Sequence, residues 1–252
     1  MTKTILITGA SAGIGQQLAL AFARRGYQLA LAARRLESLE ALKAQIMQAH
    51  PEARVEIAAL DVNQLDTVAP TLQQLAKTMG GLDIVVANAG VGDGGGPVGT
   101  GDFARDAAVI QTNVLGAMAT IDAAVAIFRQ QKHGQVVAIS SVAAARGVPG
   151  AASYSASKAA IAVYADAARS ELHNTAIKVT TLYPGYIDTA MNNRMKSRPF
   201  LVTVEDGAER VAKLIERGVQ EAAVPGWPWG LVMWLLRKLP TALIAKQNPF
   251  AE

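Results

Sequence analysis

Residues 4–23, TILITGASAGIGQQLALAFA, contain the pattern that decides the fold. The first five form a short apolar and β-branched run, which is typical of a buried strand. After a glycine-rich turn, apolar residues recur at spacings of three and four, and this periodicity predicts a helix. Together these parts predict a phosphate site, because glycines let the backbone approach an anion and the free N–H groups of the helix attract it.

The glycines in this turn are spaced Gly9-x-x-x-Gly13-x-Gly15. The commonest dinucleotide-binding spacing is Gly-x-Gly-x-x-Gly, so the spacing alone is a weak signal. Its place between a strand and a helix makes the prediction of a nucleotide site more specific.

The rest of the chain alternates short apolar runs with amphipathic segments. Strands are predicted at 27–33, 54–60, 82–87, 136–139 and 177–182, and helices at 36–48, 65–79, 102–131, 156–172 and 204–219. Such alternation indicates one α/β domain over residues 1–252, built on a parallel, doubly wound sheet without an internal linker.

Residues 136–160, VVAISSVAAARGVPGAASYSASKAA, combine a buried strand with the start of an alanine-rich helix. Tyr154 and Lys158 stand four apart on that helix, so their side chains share one face. Ser141 follows the strand, where an open α/β sheet usually carries its chemistry. An adjacent ammonium group lowers the pKa of a phenol from its usual value near ~10, which would let Tyr154 exchange protons. The alternative is an ordinary surface pair.

Arg34 and Arg35 follow the second predicted strand. A site for NAD usually has an acidic residue near this strand end, where it binds the ribose 2′-hydroxyl. Ala33 and two guanidinium groups occupy the position here, which favours the 2′-phosphate of NADP. The alternative is that both arginines cap the next helix or face water.

The composition disfavours several kinds of site and partner. The 252 residues include no cysteine, and the three histidines lie far apart in sequence, so no disulfide and no metal site are expected. The formal net charge is +4, but lysine and arginine are scattered, so no nucleic-acid binding is predicted. A cytoplasmic protein fits this composition. No signal peptide is expected, because residues 4–8 already form a core strand.

Two segments near the end of the chain are candidates for contact with the substrate. Residues 190–205 are basic, with apolar contacts at Met191, Met195 and Phe200, and we interpret them as a substrate lid. Residues 226–252 form an apolar extension that contains all three tryptophans. This extension covers the substrate cleft or a subunit interface, or it lies on a membrane surface through residues 227–240, or it is plain core packing.

Taken together, these motifs resemble those of the short-chain dehydrogenase/reductase family. The matching residues, in family order, are Thr8 to Gly15 (TGASAGIG), Asp61-Val62, Asn88-Ala89-Gly90, Asn113, Ser141, Tyr154 to Lys158 (YSASK), and Pro184-Gly185 with Thr189. The resemblance implies a Rossmann-like α/β fold, with about seven parallel strands in the order 3-2-1-4-5-6-7 and helices on both faces, and a nicotinamide cofactor. A homodimer or homotetramer is expected, since an alanine-rich helix can pack closely against a second subunit.

The resemblance implies catalytic roles for four residues. Tyr154 would exchange the proton of the substrate hydroxyl, and Lys158 would lower the pKa of Tyr154 and bind the nicotinamide ribose. Ser141 rather than Ser140 would bind the carbonyl oxygen, because it precedes Tyr154 by thirteen residues. Asn113 would hold a water that links Lys158 to solvent.

The resemblance also implies which residues bind the cofactor. They are Gly9, Ser11, Ala12, Gly13, Ile14 and Gly15 at the phosphates; Arg34 and Arg35 at the 2′-phosphate; Asp61 and Val62 at the adenine; Asn88, Ala89 and Gly90 at the adenine ribose; Tyr154 and Lys158 at the nicotinamide ribose; and Pro184, Gly185, Ile187 and Thr189 at the nicotinamide. Many members that prefer NADP have a second basic residue where this chain has Ala12. The preference for NADP over NAD therefore depends on Arg34 and Arg35.

These residues predict an NADP(H)-dependent oxidoreductase that interconverts a ketone or aldehyde with an alcohol. The apolar lid and tail favour an apolar substrate. A non-catalytic NADP-binding sensor or scaffold is the alternative, although a sensor has no need of Tyr154 as a proton carrier. A sugar-nucleotide epimerase is disfavoured by the short chain and by the glycine spacing.

Overall fold

The parallel sheet follows from the alternation of buried strands and helices along the chain. The computed structural model describes residues 2–92, 94, 96–99, 101–193, 195 and 197–245. The strands are β1 (Thr4–Thr8), β2 (Gln28–Ala33), β3 (Val55–Ala59), β4 (Ile84–Ala87), β5 (Gly134–Ile139), β6 (Ile177–Pro184) and β7 (Glu221–Val224). They form one seven-stranded parallel sheet in the order β3-β2-β1-β4-β5-β6-β7, which confirms the predicted doubly wound, Rossmann-like fold.

Helices cover both faces of the sheet, because successive residues of each strand point to opposite sides. The helices are α1 (Gly13–Ala23), α2 (Leu36–Ala49), α3 (Leu65–Met79), α4 (Phe103–Ile110), α5 (Ala117–Gln131), α6 (Ala152–Glu171), α7 (Val204–Arg217), α8 (Gly226–Leu236) and α9 (Thr241–Ala245). Leu6 and Val85 belong to the core under α3, α5 and α6. Ile5 and Ile7 belong to the core under α1, α2 and α7.

The switch point between β1 and β4 opens the sheet for a ligand. The chain runs outward from β1 to β3 and then crosses back to β4, so the connections after β1 and β4 leave on opposite faces. The Thr8 hydroxyl holds the two strand ends together. It donates to Val86 O at 3.2 Å and accepts from the N–H groups of Asn88 (3.1 Å) and Ala89 (3.2 Å). Open α/β sheets bind ligands at this kind of crevice.

The predicted long helix at 102–131 contains a π-helical turn, Gln111–Gly116, between α4 and α5. Such turns occur mostly as single bulges within α-helices and frequently at functional sites, and Asn113 lies in this one. By length and hydropathy alone, residues 103–131 could cross a bilayer. Half of their most apolar window is buried inside the protein, as in the core helix of a globular domain.

Candidate active site

One large cavity opens at the carboxyl ends of the strands. Its volume is about 990 Å³. The predicted site residues that line it are Gly9, Ser11, Ala12, Gly13, Ile14, Gly15, Arg34, Arg35, Asp61, Val62, Asn88, Ala89, Gly90, Ser141, Tyr154, Lys158, Pro184, Gly185, Ile187 and Thr189. Of the predicted site residues, all of which the structure describes, only Asn113 is absent from this wall, and its side chain is buried behind it.

The turn after β1 has the geometry of a phosphate cradle. Gly9 has a φ of +68°, a backbone conformation that strains most other residues. A Cβ atom on Gly15 would lie 2.5 Å from both Asn88 Nδ2 and Gly9 O, so only glycine fits where α1 meets the turn. The first turn of α1 contains neither a capping side chain nor an acidic residue, which leaves its N–H groups available to an anion. The phosphates of a dinucleotide fit this site.

Arg34 and Arg35 stand at the edge of the cavity, after β2, and both are exposed. Arg35 Nη2 lies 3.3 Å from the Ser11 hydroxyl and 3.4 Å from Ser11 O, which ties it to the phosphate turn. Arg35 directly precedes α2, but its side chain makes no capping hydrogen bond. The exposure of both arginines agrees with the alternative that they face water. Two guanidinium groups beside the cradle suit an additional phosphate.

Tyr154, Lys158 and Ser141 converge on one side of the cavity. Tyr154 and Lys158 lie in the first two turns of α6, on the face toward β5. Lys158 Nζ donates to Ile139 O at 3.0 Å and lies 5.8 Å from the centroid of the Tyr154 ring. The Ser141 hydroxyl accepts from the Ala143 N–H at 3.2 Å, which holds it at the end of β5.

Burial controls the proton affinity of both titratable groups. Burial raises the pKa of Tyr154 above its ordinary value of 10.0, and hydrogen bonding with Ser141 lowers it only in part. Burial also lowers the pKa of Lys158 to about 8. The sequence-based expectation that Lys158 lowers the pKa of Tyr154 is not met here, because the ammonium group donates to Ile139 O and desolvation of the phenolate dominates. Tyr154 is therefore a protonated phenol at neutral pH.

The other half of the cavity has an apolar wall to which the tail contributes. Trp229 of α8 is buried and packs edge-on against Tyr186 and Phe200, with ring centroids 5.7 Å and 5.8 Å away. A Cβ atom on Gly185 would lie 2.2 Å from the indole nitrogen of Trp229, so glycine at this position lets α8 dock on the end of β6. The wall also includes Val142, Val148, Pro149, Met191, Met195, Val232, Leu236 and Ile244.

Most of the chain, including nearly all of the cavity wall, matches one protein family. The family model for short chain dehydrogenase matches residues 3–199. The chain belongs to the short-chain dehydrogenase/reductase family. It is 40% identical over 242 residues to an uncharacterized oxidoreductase of Mycobacterium tuberculosis, covering 96% of this chain and 95% of that one.

Two further comparisons agree with membership of the short-chain dehydrogenase/reductase family. An uncharacterized oxidoreductase of Myxococcus xanthus is 39% identical over 249 residues, covering 96% of this chain and 94% of the relative. An alcohol dehydrogenase structure from the archaeon Thermococcus sibiricus has a TM-score of 0.80 and 28% identity, covering 89% of this chain and 96% of that one. The chain is thus an oxidoreductase whose cavity fits a nicotinamide nucleotide.

In this short-chain dehydrogenase/reductase, two buried polar residues position the site: Ser140 on the cavity wall and Asn113 behind it. The Ser140 hydroxyl donates to Lys158 O at 2.8 Å and joins β5 to α6. The Asn113 side chain accepts from Val91 N at 2.8 Å and donates to Val91 O at 2.8 Å and to Ser157 Oγ at 3.1 Å. Asn113 therefore fixes the segment after β4 against α6. The water assigned to Asn113 stays a prediction.

The predicted lid at 190–205 is closed at its base by a parallel bridge between Ile187 and Val202. Met191 is 47% exposed and also lines the cavity, as a residue at its mouth would. Arg194 and Lys196, two of the basic residues in the predicted lid, lie outside the described residues. That the segment moves as a lid stays a prediction.

The predicted extension at 226–252 is described as far as residue 245, as α8 and α9, and residues 246–252 lie outside the description. The inner face of α8 covers the cleft, in agreement with the first of the alternatives for this extension. The outer face exposes large apolar side chains, with Trp227 77% and Trp234 60% accessible to solvent.

Tyr186 and Arg146 are among the cavity-wall residues that sequence reasoning did not assign to the site. Tyr186 lies within the Pro184–Thr189 motif, and Arg146 lies between Ser141 and Tyr154. In the sequence, this position relative to the motifs was the signal that could have pointed to the two residues. The direction of each side chain required coordinates.

The depressed pKa of Lys158 gives a testable consequence for stability. Its pKa is about 8 when folded, below the ordinary value of 10.5, so the unfolded chain binds more protons between these two pH values. Over this window, the free energy of unfolding of the wild type should rise by about 3 kcal/mol relative to that of Lys158→Met. Chemical denaturation of both proteins without cofactor, at several pH values, measures this difference.

The exposed Lys178 of β6 provides the control. Lys178→Met should follow the wild type across the same pH range. Stability curves for the wild type and Lys158→Met that run parallel from pH 8 to 10.5 would show that burial does not destabilise the Lys158 ammonium.

Proposed function

We propose that the chain is an NADPH-dependent reductase of apolar ketones or aldehydes, in which Tyr154 donates the proton. The observation that carries the proposal is the position of the Tyr154 phenol on the cavity wall, next to the Ser141 hydroxyl and in the same cavity as the phosphate cradle. A raised pKa suits the reducing direction, because the group that protonates an incipient alkoxide must hold its proton at neutral pH.

The residues of the chain divide the chemistry among them. A bound nicotinamide supplies the hydride when NADPH is the cofactor. Ser141 binds the carbonyl oxygen, and the carbonyl carbon accepts the hydride as that oxygen accepts the proton of Tyr154. The C=O π bond would break as the C–H and O–H bonds form, and the substrate would leave as an alcohol, with both electrons coming from the hydride of the nicotinamide. Lys158 would hold the nicotinamide ribose and would stabilise the tyrosinate that proton transfer leaves.

The non-catalytic sensor or scaffold remains a weaker candidate. The comparisons give no support for it, and a sensor would not need a hydroxyl, a phenol and an ammonium group together. Turnover of any carbonyl compound with NADPH separates the two functions.

Tyr154→Phe tests the proton donor. The substitution removes one hydroxyl and keeps the ring, so turnover should fall by about 10²–10⁴-fold while the affinity for NADPH stays close to that of the wild type. Steady-state rates at the nicotinamide absorbance and calorimetric binding of NADPH measure the two effects. Tyr164→Phe, on α6 but outside the cavity wall, is the control. A near-normal rate in Tyr154→Phe would contradict the mechanism.

The preference for NADPH is proposed from the charge around β2. Arg34 and Arg35 lie on the cavity edge, which supports this preference. Positions 33–35, all of which the structure describes, contain no acidic residue. The Thermococcus sibiricus structure is a complex with 5-hydroxy-NADP, which is consistent with this preference in a relative.

Arg34→Asp tests the cofactor preference. Replacing a guanidinium by a carboxylate should lower the ratio of kcat/KM for NADPH to that for NADH by about 10–100-fold, the value of one charged hydrogen bond. Arg129→Asp, an exposed change at the end of α5, should leave this ratio unaltered. If Arg34→Asp keeps the wild-type ratio, Arg34 does not bind the 2′-phosphate.

We also propose that the outer face of α8 lies on an anionic membrane surface, as one of the alternatives for the tail allows. Trp227, Leu231, Trp234 and Leu235 are exposed on this helix, and the exposed Arg237 and Lys238 follow it. Tryptophan beside basic residues is typical of helices that lie in the bilayer interface. Residues 226–245 contain no acidic side chain. A homodimer through the outer face of α8 would therefore bring like charges together, which disfavours it as the alternative to a membrane contact.

A vesicle assay tests the membrane contact. The wild type should sediment with vesicles that contain phosphatidylglycerol and less with purely zwitterionic vesicles. Trp227→Ser with Trp234→Ser should weaken this binding by about tenfold per tryptophan. Phe103→Ser removes an aromatic side chain that is 81% exposed on α4, and it should have no effect. Absence of wild-type binding at any lipid composition would exclude the membrane contact.

The homodimer or homotetramer and the cytoplasmic location also stay proposals. Val163 of α6 is 70% exposed, which gives the alanine-rich helix an apolar surface for a second subunit. A peripheral membrane protein on the cytoplasmic side would satisfy both the membrane contact and the cytoplasmic location.

A further inference from the structure

Arg146 is a charged residue on the substrate side of the cavity. It follows the 3₁₀ turn Val142–Ala145, which leads away from Ser141, and it also lines a smaller cavity of about 320 Å³ beside α9. The other charged residues on the described wall are Arg34, Arg35, Asp61 and Lys158. Arg34 and Arg35 follow β2, which lies three strands from β5, or about 14 Å at ~4.8 Å per strand. Arg146 follows β5, whereas the phosphate cradle follows β1 and the two other arginines follow β2.

Arg146 differs from the other half-buried arginines in its partners. Those arginines form ion pairs: Arg25 with Glu216 at 3.1 Å, Arg169 with Asp166 at 2.7 Å, and Arg198 with Asp188 at 2.7 Å. Within the described ranges, Arg146 has no carboxylate partner, and its Nη2 lies 3.4 Å from the Thr241 hydroxyl. A guanidinium group has five N–H donors, so most of those of Arg146 are available to a ligand.

The wall between Ser141 and Arg146 is apolar. It is formed by Val142, Ala143, Val148 and Pro149. The two residues are five positions apart along a 3₁₀ turn, which separates their backbones by about 10 Å. A ligand with its carbonyl group at Ser141 and an anionic group at Arg146 therefore has an apolar body of about this length.

We propose that Arg146 binds a carboxylate of the substrate, and that the substrate class is an apolar oxo acid whose acid group lies at the far end from the reacting carbonyl. A carboxylate suits this position, because it pairs with a guanidinium group through two parallel hydrogen bonds. The product is the corresponding hydroxy acid. This inference rests on the proposed reductase function and names its substrate class.

The test compares a medium-chain ω-oxo carboxylic acid with its methyl ester, since the two differ in charge but share the reacting carbonyl. Rates with NADPH are measured for the wild type, Arg146→Gln and Arg146→Lys. Arg237→Gln, at the exposed end of α8, is the control. Calorimetric binding of the saturated carboxylic acid of the same chain length gives a second measurement that needs no turnover.

The wild type should prefer the acid. Arg146→Gln should lower the ratio of kcat/KM for acid to that for ester by about 10–100-fold, mainly through the KM of the acid, with the ester unchanged. Arg146→Lys should recover part of this ratio, and Arg237→Gln should match the wild type. The affinity for the saturated acid should fall in parallel in Arg146→Gln.

An unchanged acid-to-ester ratio together with an unchanged affinity for the saturated acid in Arg146→Gln would overturn the carboxylate site and leave the reductase function intact. If the wild type turns over neither compound, these oxo acids are not substrates, and turnover of an uncharged apolar ketone with NADPH decides whether the reductase function also fails. In that case the affinity for the saturated acid still decides the role of Arg146.

Discussion

The rest of the site depends on the two hydrogen bonds between the end of β5 and α6. The Ser140 hydroxyl donates to Lys158 O, and the Lys158 ammonium group donates to Ile139 O, so the strand end and the helix are joined by bonds in both directions. Through them, the face of α6 that carries Tyr154 is held over the strand end that carries Ser141. Because these groups are buried, leaving one of them without its partner costs about 1–3 kcal/mol.

The burial of the groups that link β5 to α6 also controls the chemistry of the site. Low polarity around α6 disfavours charge, so the phenol of Tyr154 keeps its proton and the Lys158 ammonium group loses its own more readily than it does in water. A charged lysine at this depth lowers the stability of the ligand-free protein, and a bound nicotinamide ribose would give its ammonium group further hydrogen bonds. Holding a proton donor and a buried cation side by side therefore makes the ligand-free protein less stable.

The family resemblance predicted the strand order and the residues of the nucleotide half. These residues share one cavity because the carboxyl ends of parallel strands meet at one edge of the sheet. Gly9, Asn88 and Ser141 follow different strands and reach one cavity for that reason. The effect of Lys158 on Tyr154 was not predictable, since it depends on which acceptor the ammonium group faces. Asn113 and Arg146 show the same limit, because the chain pattern does not reveal whether a polar side chain lines a cavity or lies behind it.

The ionisation of Tyr154 tests the central claim most directly. An ultraviolet difference titration between the wild type and Tyr154→Phe isolates this phenol from the other four tyrosines. Without cofactor, Tyr154 should ionise above the ordinary pKa of 10.0, because the phenol is buried and Lys158, with a pKa of about 8, is already a neutral amine at that pH. Ionisation well below that value in the ligand-free protein would contradict it, and would mean that Lys158 already stabilises the phenolate.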